Sequence, residues 1–347
     1  MSYTNGLDKP TDYFNTKLWT GNGSTQSITG VGFQPDWTWI KERNGSSGHV
    51  LIDSVRGVDK VIRSNQTGAE STDDDCITSF DTDGYSLGDD VKTNESSSFT
   101  YVGWSWLAGG TASSNTDGTI TSTVSANTTA GFSIVSYTGN GTAGATVGHG
   151  IDTPKMYIVK RRSNTGNWYT YHESIGNTNR LRLDETSTST TESTAWNNTS
   201  PTSSVFSLGT SVDVNASGQT YIAYCFAEKK GFSKMGSYVG NNNDDGTFVY
   251  LGFKPAFLLI KIIDTQTDNW IMQDNKRNTS NLSTSQRLRA NSSGAEFSSS
   301  NEIDLLSNGF KVHGADGEIN GSGASYIYMA FAESPFVTST GIPTTAR

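Results

Sequence analysis

Gly252-Phe253-Lys254-Pro255-Ala256-Phe257-Leu258-Leu259-Ile260-Lys261 is an apolar run that opens on a Pro and stops on a Lys. Nearly the same phrase stands earlier, as Gly32-Phe33-Gln34-Pro35-Asp36-Trp37-Thr38-Trp39-Ile40-Lys41. A third version, Gly150-Ile151-Asp152-Thr153-Pro154-Lys155-Met156-Tyr157-Ile158-Val159-Lys160, lies between them. The Lys follows the Pro by six positions each time (41 − 35, 160 − 154, 261 − 255). A second phrase closes each copy, at Tyr101 to Trp106, Tyr221 to Phe226 and Tyr326 to Phe331. The Pro-to-Tyr spacings are 66, 67 and 71 residues (101 − 35, 221 − 154, 326 − 255). Matched anchors at matched spacing predict three copies of one folding unit.

The elements inside a copy read as strands. A short apolar run bounded by turn residues suits a buried strand, and Pro is tolerated at its first position. The closing phrase alternates Tyr221, Ala223, Cys225 on one face with Ile222, Tyr224, Phe226 on the other. Both faces are apolar, which predicts a strand covered on two sides. No segment holds a 3.6-residue period over three turns; the stretch from Val50 to Arg63 comes nearest. The predicted fold is all-β, with three tandem β-sandwich repeats of about 100 residues, of jelly-roll type. The predicted boundaries are a leader at 1–14, repeats at 15–110, 131–230 and 231–335, a Ser/Thr-rich linker at 111–130 and an extended tail at 336–347. Within the linker, Thr119 to Val124 reads as one weak strand. The leader is expected to dock on a neighbouring chain.

Of the 347 residues, 33% are hydrophobic and 17% charged, so the balance falls to Gly, Ser, Thr and Asn. With 8 Trp, 14 Tyr and 15 Phe the chain carries too many aromatics for a disordered body. A net charge of −9 and the absence of a Lys/Arg run argue against nucleic acid. No apolar stretch is long enough to span a membrane, and Met1 to Pro10 does not read as a secretory signal. Folding in the cytoplasm is expected. Two cysteines, Cys76 and Cys225, stand at unmatched places and are expected to be free thiols.

Motifs that suggest chemistry are weighed against the repeat. Gly84-Tyr85-Ser86-Leu87-Gly88 fits the nucleophile elbow, yet its counterpart Val205-Phe206-Ser207-Leu208-Gly209 loses the first Gly and no helix follows. Gly139-Asn140-Gly141-Thr142-Ala143-Gly144 likewise lacks the helix a dinucleotide needs. Both are read as strands and turns. Asp81 and Asp83, alternating before Gly84, are the candidate Ca²⁺ ligands, although the carboxylate that an EF-hand places at position twelve is Lys92 here. Trp168, Tyr169, Tyr171 and His172 form the candidate ligand-binding aromatic patch, set against the plainer reading of one wet strand face. Glu228 and Glu333 recur but copy one has Ala108, so the pair reads as architecture rather than as glycosidase acids. No cofactor and no enzymatic activity are expected.

Several phrases coincide in order with one family. They are Asn5-Gly6-Leu7-Asp8-Lys9-Pro10-Thr11-Asp12-Tyr13-Phe14, Gly30-Val31-Gly32-Phe33-Gln34-Pro35-Asp36, Asp53-Ser54-Val55-Arg56-Gly57, Ser79-Phe80-Asp81-Thr82-Asp83-Gly84 and Tyr328-Met329-Ala330-Phe331-Ala332-Glu333-Ser334-Pro335-Phe336. With these the chain resembles virion structural and tail-fibre-like proteins of tailed phages that infect marine bacteria, of the cyanophage and pelagiphage kind. The resemblance implies concanavalin-like sandwich domains in a virion protein assembled in the host cytoplasm. It further implies a tail-fibre or tail-associated adhesin for host attachment. A capsid decoration protein is the alternative and a polysaccharide-degrading enzyme the minor one. The expected partners are other virion proteins, further copies of the chain (a trimer, by the symmetry of phage fibres) and a host surface glycan. The third copy has Ile303-Asp304-Leu305-Leu306-Ser307-Asn308-Gly309-Phe310 where copy one has Phe-Asp-x-Asp-Gly, which weakens any shared Ca²⁺ site.

Overall fold

The computed structural model describes residues 6–279, 281, 284–300 and 303–344. The chain is all-β, with antiparallel sheets and only single-turn helices between strands. Three large sheets carry the core. In the first, Phe14–Thr20 pairs with the closing strand Thr100–Trp106, which pairs with Trp37–Glu42; Val50–Asp53 and Gly57–Ile62 follow. The second sheet runs Phe132–Thr138, Thr220–Phe226, Met156–Arg161, Trp168–His172, Asn179–Arg182 in the same order. The third runs Ser233–Val239, Ser325–Pro335, Phe253–Ile262, Ile271–Asp274, Ser285–Arg289. The registers coincide too: Trp19 faces Tyr101, Tyr137 faces Tyr221 and Tyr238 faces Tyr326. The segment from Val50 to Arg63 is two strands, as its β-branched content favours.

Each large sheet has two buried faces. One face packs on a small sheet of its own: Gln26–Thr29, Ser79–Asp81 and Gly84–Leu87 in the first case, Ala145–Gly148 and Val205–Leu208 in the second, Phe248–Tyr250, Ile303–Leu306 and Gly309–Val312 in the third. The other faces meet in one central core. Trp104 and Trp106, Tyr224 and Phe226, and Met329 and Phe331 all belong to it. Phe14 stacks on Phe331 at 5.2 Å, Trp37 on Tyr224 at 4.3 Å, and Trp104 meets Phe257 edge-on at 5.7 Å. The two-faced alternation of the closing strand therefore has a direct cause: Tyr221, Ala223 and Cys225 face the small sheet, and Ile222, Tyr224 and Phe226 face the axis.

The sheets are not strung in a line. They close into a ring through three seams. In the first, Trp168 Nε1 donates to Arg63 O at 2.9 Å, Glu70 N donates to Arg162 O, and Arg162 pairs with Glu70. In the second, Trp270 Nε1 donates to Arg182 O at 2.9 Å and Ser189 N donates to Ile263 O. In the third, the His49 ring bonds Arg289 O at 3.0 Å, and Arg43 pairs with Glu296 at 2.8 Å. Nearer the axis the same cyclic sense recurs. Tyr224 OH donates to Asp53, His172 bonds Tyr328 O, and Trp104 Nε1 donates to Asp274.

Two expected boundaries change. The stretch read as a linker is part of the second sheet: Ser113–Asn115 pairs with Ser122–Asn127, which pairs along all of Phe132–Thr138. Val124 alternates inward, so a Ser/Thr-rich segment still has one apolar side to bury. The leader, expected to dock on a neighbour, docks on its own chain. Leu7 is fully buried in the central core, and Asp8 accepts hydrogen bonds from Ser339 of the tail. Leader residues 1–5 and tail residues 345–347 lie outside the described residues.

Candidate functional site

The Lys that ends each apolar run sits on the axial face, in phase with Trp37 and Trp39 in the first sheet. Lys41, Lys160 and Lys261 are all fully buried. Lys160 Nζ donates to Thr67 O at 2.8 Å and Lys261 Nζ to Thr186 O at 2.9 Å, both across a seam. Lys41 instead donates to Glu42 O and Gly45 O within its own sheet. Burial pulls each ammonium down to about 8. The Lys that ends each run is thus a carbonyl clamp, with two carbonyls bonded in each case.

A second clamp was missed in the sequence. Asn94, Asn215 and Asn320 end the single-turn helices before the closing strands, and all three are fully buried. Their Nδ2 groups donate to Gly88 O, Gly209 O and Gly314 O at 2.8, 2.8 and 2.7 Å. Their Oδ1 atoms accept from the backbone of Asn22, Asn140 and Asn241. The signal was present: each Asn precedes the closing Tyr by six or seven residues (101 − 94, 221 − 215, 326 − 320). The Tyr hydroxyls finish the same arrangement, donating to Val91 O, Val212 O and Gly317 O.

The predicted site residues do not form a site. Trp168, Tyr169, Tyr171 and His172 are buried, so the expected aromatic patch or wet face is corrected to core. Strand alternation sends Trp168 to the axis and Tyr169 and Tyr171 to the small-sheet side, and both faces are covered. Tyr171 stacks on Tyr157 at 4.7 Å. The His172 Nδ1 accepts from Ser174 N, which leaves Nε2–H to donate to Tyr328 O; burial lowers its pKa to about 4. Asp81 and Asp83 end up on opposite tasks. Asp81 accepts from Ser79 and Ser86 hydroxyls, and Asp83 from Gly30 N and Gly32 N. Asp83 thereby pins a turn, and those two amides hold its carboxyl below the usual range. Ser86, the elbow serine, sits within the strand Gly84–Leu87.

Among the described residues one further cluster has metal-ligand atoms within 4.8 Å of one another: Asp73, Cys76 and Asp90. Lys92 Nζ lies 2.9 Å from Asp73 and also pairs with Asp90, so the cluster's cation is an ammonium. Both Cys76 and Cys225 are free and buried, and burial raises both thiols.

At the surface the first strands of the three small sheets differ from one another. The first strand of each small sheet has a buried residue at its centre: Ile28 opposite Tyr85, Val147 opposite Phe206, Val249 opposite Phe310. Its flanking residues are Ser27 and Thr29 in the first sheet, and Thr146 and Gly148 in the second. In the third they are Phe248 and Tyr250, 45% and 55% exposed. The second strand's edge is covered by Thr119 and Ile120. In the sheet order Phe248–Tyr250 is a terminal strand.

Two adjoining clefts lie beside it, sharing Lys230, Gly231 and Leu251. One, of about 490 Å³, has Tyr250, Phe336 and Val337 in its walls. The other, of about 560 Å³, is lined by Asp152, Lys155, Glu228, Lys230 and Lys234. Lys234 Nζ donates to Tyr250 O at 2.8 Å and stands 5.7 Å from the Tyr250 ring centre. Phe336 N donates to Gly252 O, which fastens the tail just beyond the end of that strand.

Among the described residues no helix is long and apolar enough to cross a membrane. No curated protein and no solved structure matches the chain. A family model described as a domain of unknown function, DUF7483, matches residues 9–335, nearly the whole length, and the chain belongs to that family.

Proposed function

We propose that the chain is a phage virion structural protein, a tail-fibre or tail-associated adhesin used in host attachment. The observation that carries this reading is the pair Phe248 and Tyr250, standing in water where the other two sheets have Ser, Thr or Gly. An edge strand with exposed aromatics invites aggregation unless a ligand uses it. The large core makes a stiff support, and a stiff support loses less entropy when its surface binds. We also read the three sheet pairs as copies of one sandwich unit of concanavalin-like, jelly-roll type. The shared strand order, the shared Tyr register and the three Asn clamps support that reading. In this reading the role is binding: of the two recurring glutamates Glu333 pairs with Lys254, and Glu228 lines the cleft beside Tyr250's strand.

The partners in this reading are a host surface glycan and other virion proteins, in a particle assembled in the host cytoplasm. Purified protein should adsorb to host cells and compete with phage for them. Failure on both counts sinks the adhesin. The closed ring favours a second reading, a purely structural component such as a capsid decoration. Copy number decides between them: hundreds of copies spread over the head would select it.

A further inference from the structure

We propose that the groove running from Phe336 and Tyr250 to Lys230 and Glu228 binds a saccharide, with a pyranose ring lying against Tyr250. This deepens the adhesin reading and rests on it. The two joined clefts differ in chemistry along one line. The Phe336 end is apolar, with Leu251 and Val337 beside the two rings. The Glu228 end is polar and mixed in charge, with Lys155, Lys230, Lys234 and Asp152. A sugar presents both characters at once. Its axial C–H face is apolar and packs on an aromatic ring, and its rim of hydroxyls needs donors and acceptors around it. A protein segment would have to cover Ile342 and Phe248 as well, which stand exposed outside the cleft lining. The cleft volumes suit one or two sugar rings each.

The polar end is also held in place. Lys229 pairs with Asp152 and Lys155 with Glu173, so the flanking chain is braced from both sides. Lys234 is fixed by its bond to Tyr250 O, and its ammonium lies over one part of the ring while over half of the Tyr250 surface stays open. The groove lies where the third sheet pair adjoins the second, and among the described residues Thr29 and Gly148 supply no ring at the positions that match Tyr250. The ligand is therefore taken once per chain, not three times.

The test uses the full chain, fluorescently labelled, on a microarray of defined oligosaccharides built from pyranoses, with titration of any hit. The variants are Tyr250→Thr, which imports the first sheet's residue, Phe336→Ala, and Ser27→Ala as a control outside the groove. We expect at least one saccharide to be retained, with affinity falling at least about tenfold in Tyr250→Thr and unchanged in Ser27→Ala. Retention of no saccharide, or binding indifferent to both Tyr250→Thr and Phe336→Ala, overturns the site. Adsorption to host cells is measured on the same samples. Adsorption without saccharide binding keeps the adhesin and removes this groove. Saccharide binding that depends on Tyr250, without adsorption, keeps the groove and removes the adhesin.

Discussion

Trp19, Tyr137 and Tyr238 hold one place in their three sheets, and each bonds the carbonyl before a clamp Asn, at Thr93, Val214 and Ile319. Each also stacks on the closing Tyr, at 5.6, 5.1 and 4.9 Å. Ser27, Thr146 and Phe248 also hold one place, and they share nothing. The first trio is buried and bonded, so a change leaves a carbonyl unpaired and costs roughly 1–3 kcal/mol. The second trio faces outward, where most substitutions cost within about 0.5 kcal/mol. Interior places are therefore tied to one chemistry, while outward places are free to acquire a separate task. A departure from the pattern on the outside is the better guide to function.

That contrast can be broken from the inside first. Asp274 and Arg277 form a fully buried pair at 2.6 Å, and Trp104 donates to the same carboxylate. Asp274→Ala leaves the buried Arg277 with Glu296 as its remaining carboxylate and the Trp104 indole N–H unpaired, with an expected loss of about 3 kcal/mol in urea denaturation. A loss under about 1 kcal/mol would detach this seam from the ring's stability. Next, Asn320→Ala should cost about 1–3 kcal/mol by leaving Gly314 O and Asn241 N unpaired. It should lower the thermal midpoint without altering saccharide binding.

A third measurement sharpens the difference among the seams. Two seams use a Trp and the third uses His49, whose Nδ1 accepts from Trp39 while Nε2–H serves Arg289 O. Burial, with Lys41 adding to it, drives the His49 pKa down to about 3. The folded chain thus keeps His49 neutral while the unfolded chain takes up a proton near its ordinary pKa. Stability falls as pH drops from about 6.5 towards 3, by about 1.4 kcal/mol per pH unit for this group. His49→Gln should flatten the slope of urea stability against pH between 6 and 4 by that amount; an unchanged slope would show that His49 is not buried neutral. Smallest of all, Tyr250→Thr should shift stability by less than about 0.5 kcal/mol in the same assay, despite removing one of the groove's two rings.

The sheet edges repeat the lesson on a smaller scale. Phe14–Thr20 and Ser233–Val239 end their sheets, and each carries a Lys, Lys17 and Lys234. Phe132–Thr138 is covered by Ser122–Asn127 and carries no charge. A charged side chain on an open edge discourages pairing with another chain.

Much of this fold was readable one residue at a time. The Pro-to-Lys runs are strands where an apolar stretch bounded by turns placed them, and the two-faced closing strands are strands where alternation placed them, because a period of two follows from the pleat itself. The aromatic stretch Trp168 to His172 was misread for a related reason. Alternation tells that a strand has two faces, but not that a neighbouring sheet covers the second one. The stretch 111–130 misled because its composition resembles a spacer, although a strand needs only Val124 and Ile120 pointing inward. The seam bonds lay beyond reach, since Trp168 to Arg63 and Trp39's partner His49 to Arg289 join residues 105 and 240 positions apart.

By itself the sequence determined the β class, the repeated anchors and the sidedness of the closing strands, all of which depend on neighbours a few residues away. Only the tertiary structure decided that the sheets close into a ring, that the repeated lysines clamp carbonyls, and that Tyr250 faces water. Those depend on which surfaces meet, and burial by a distant segment leaves no periodic mark along the chain.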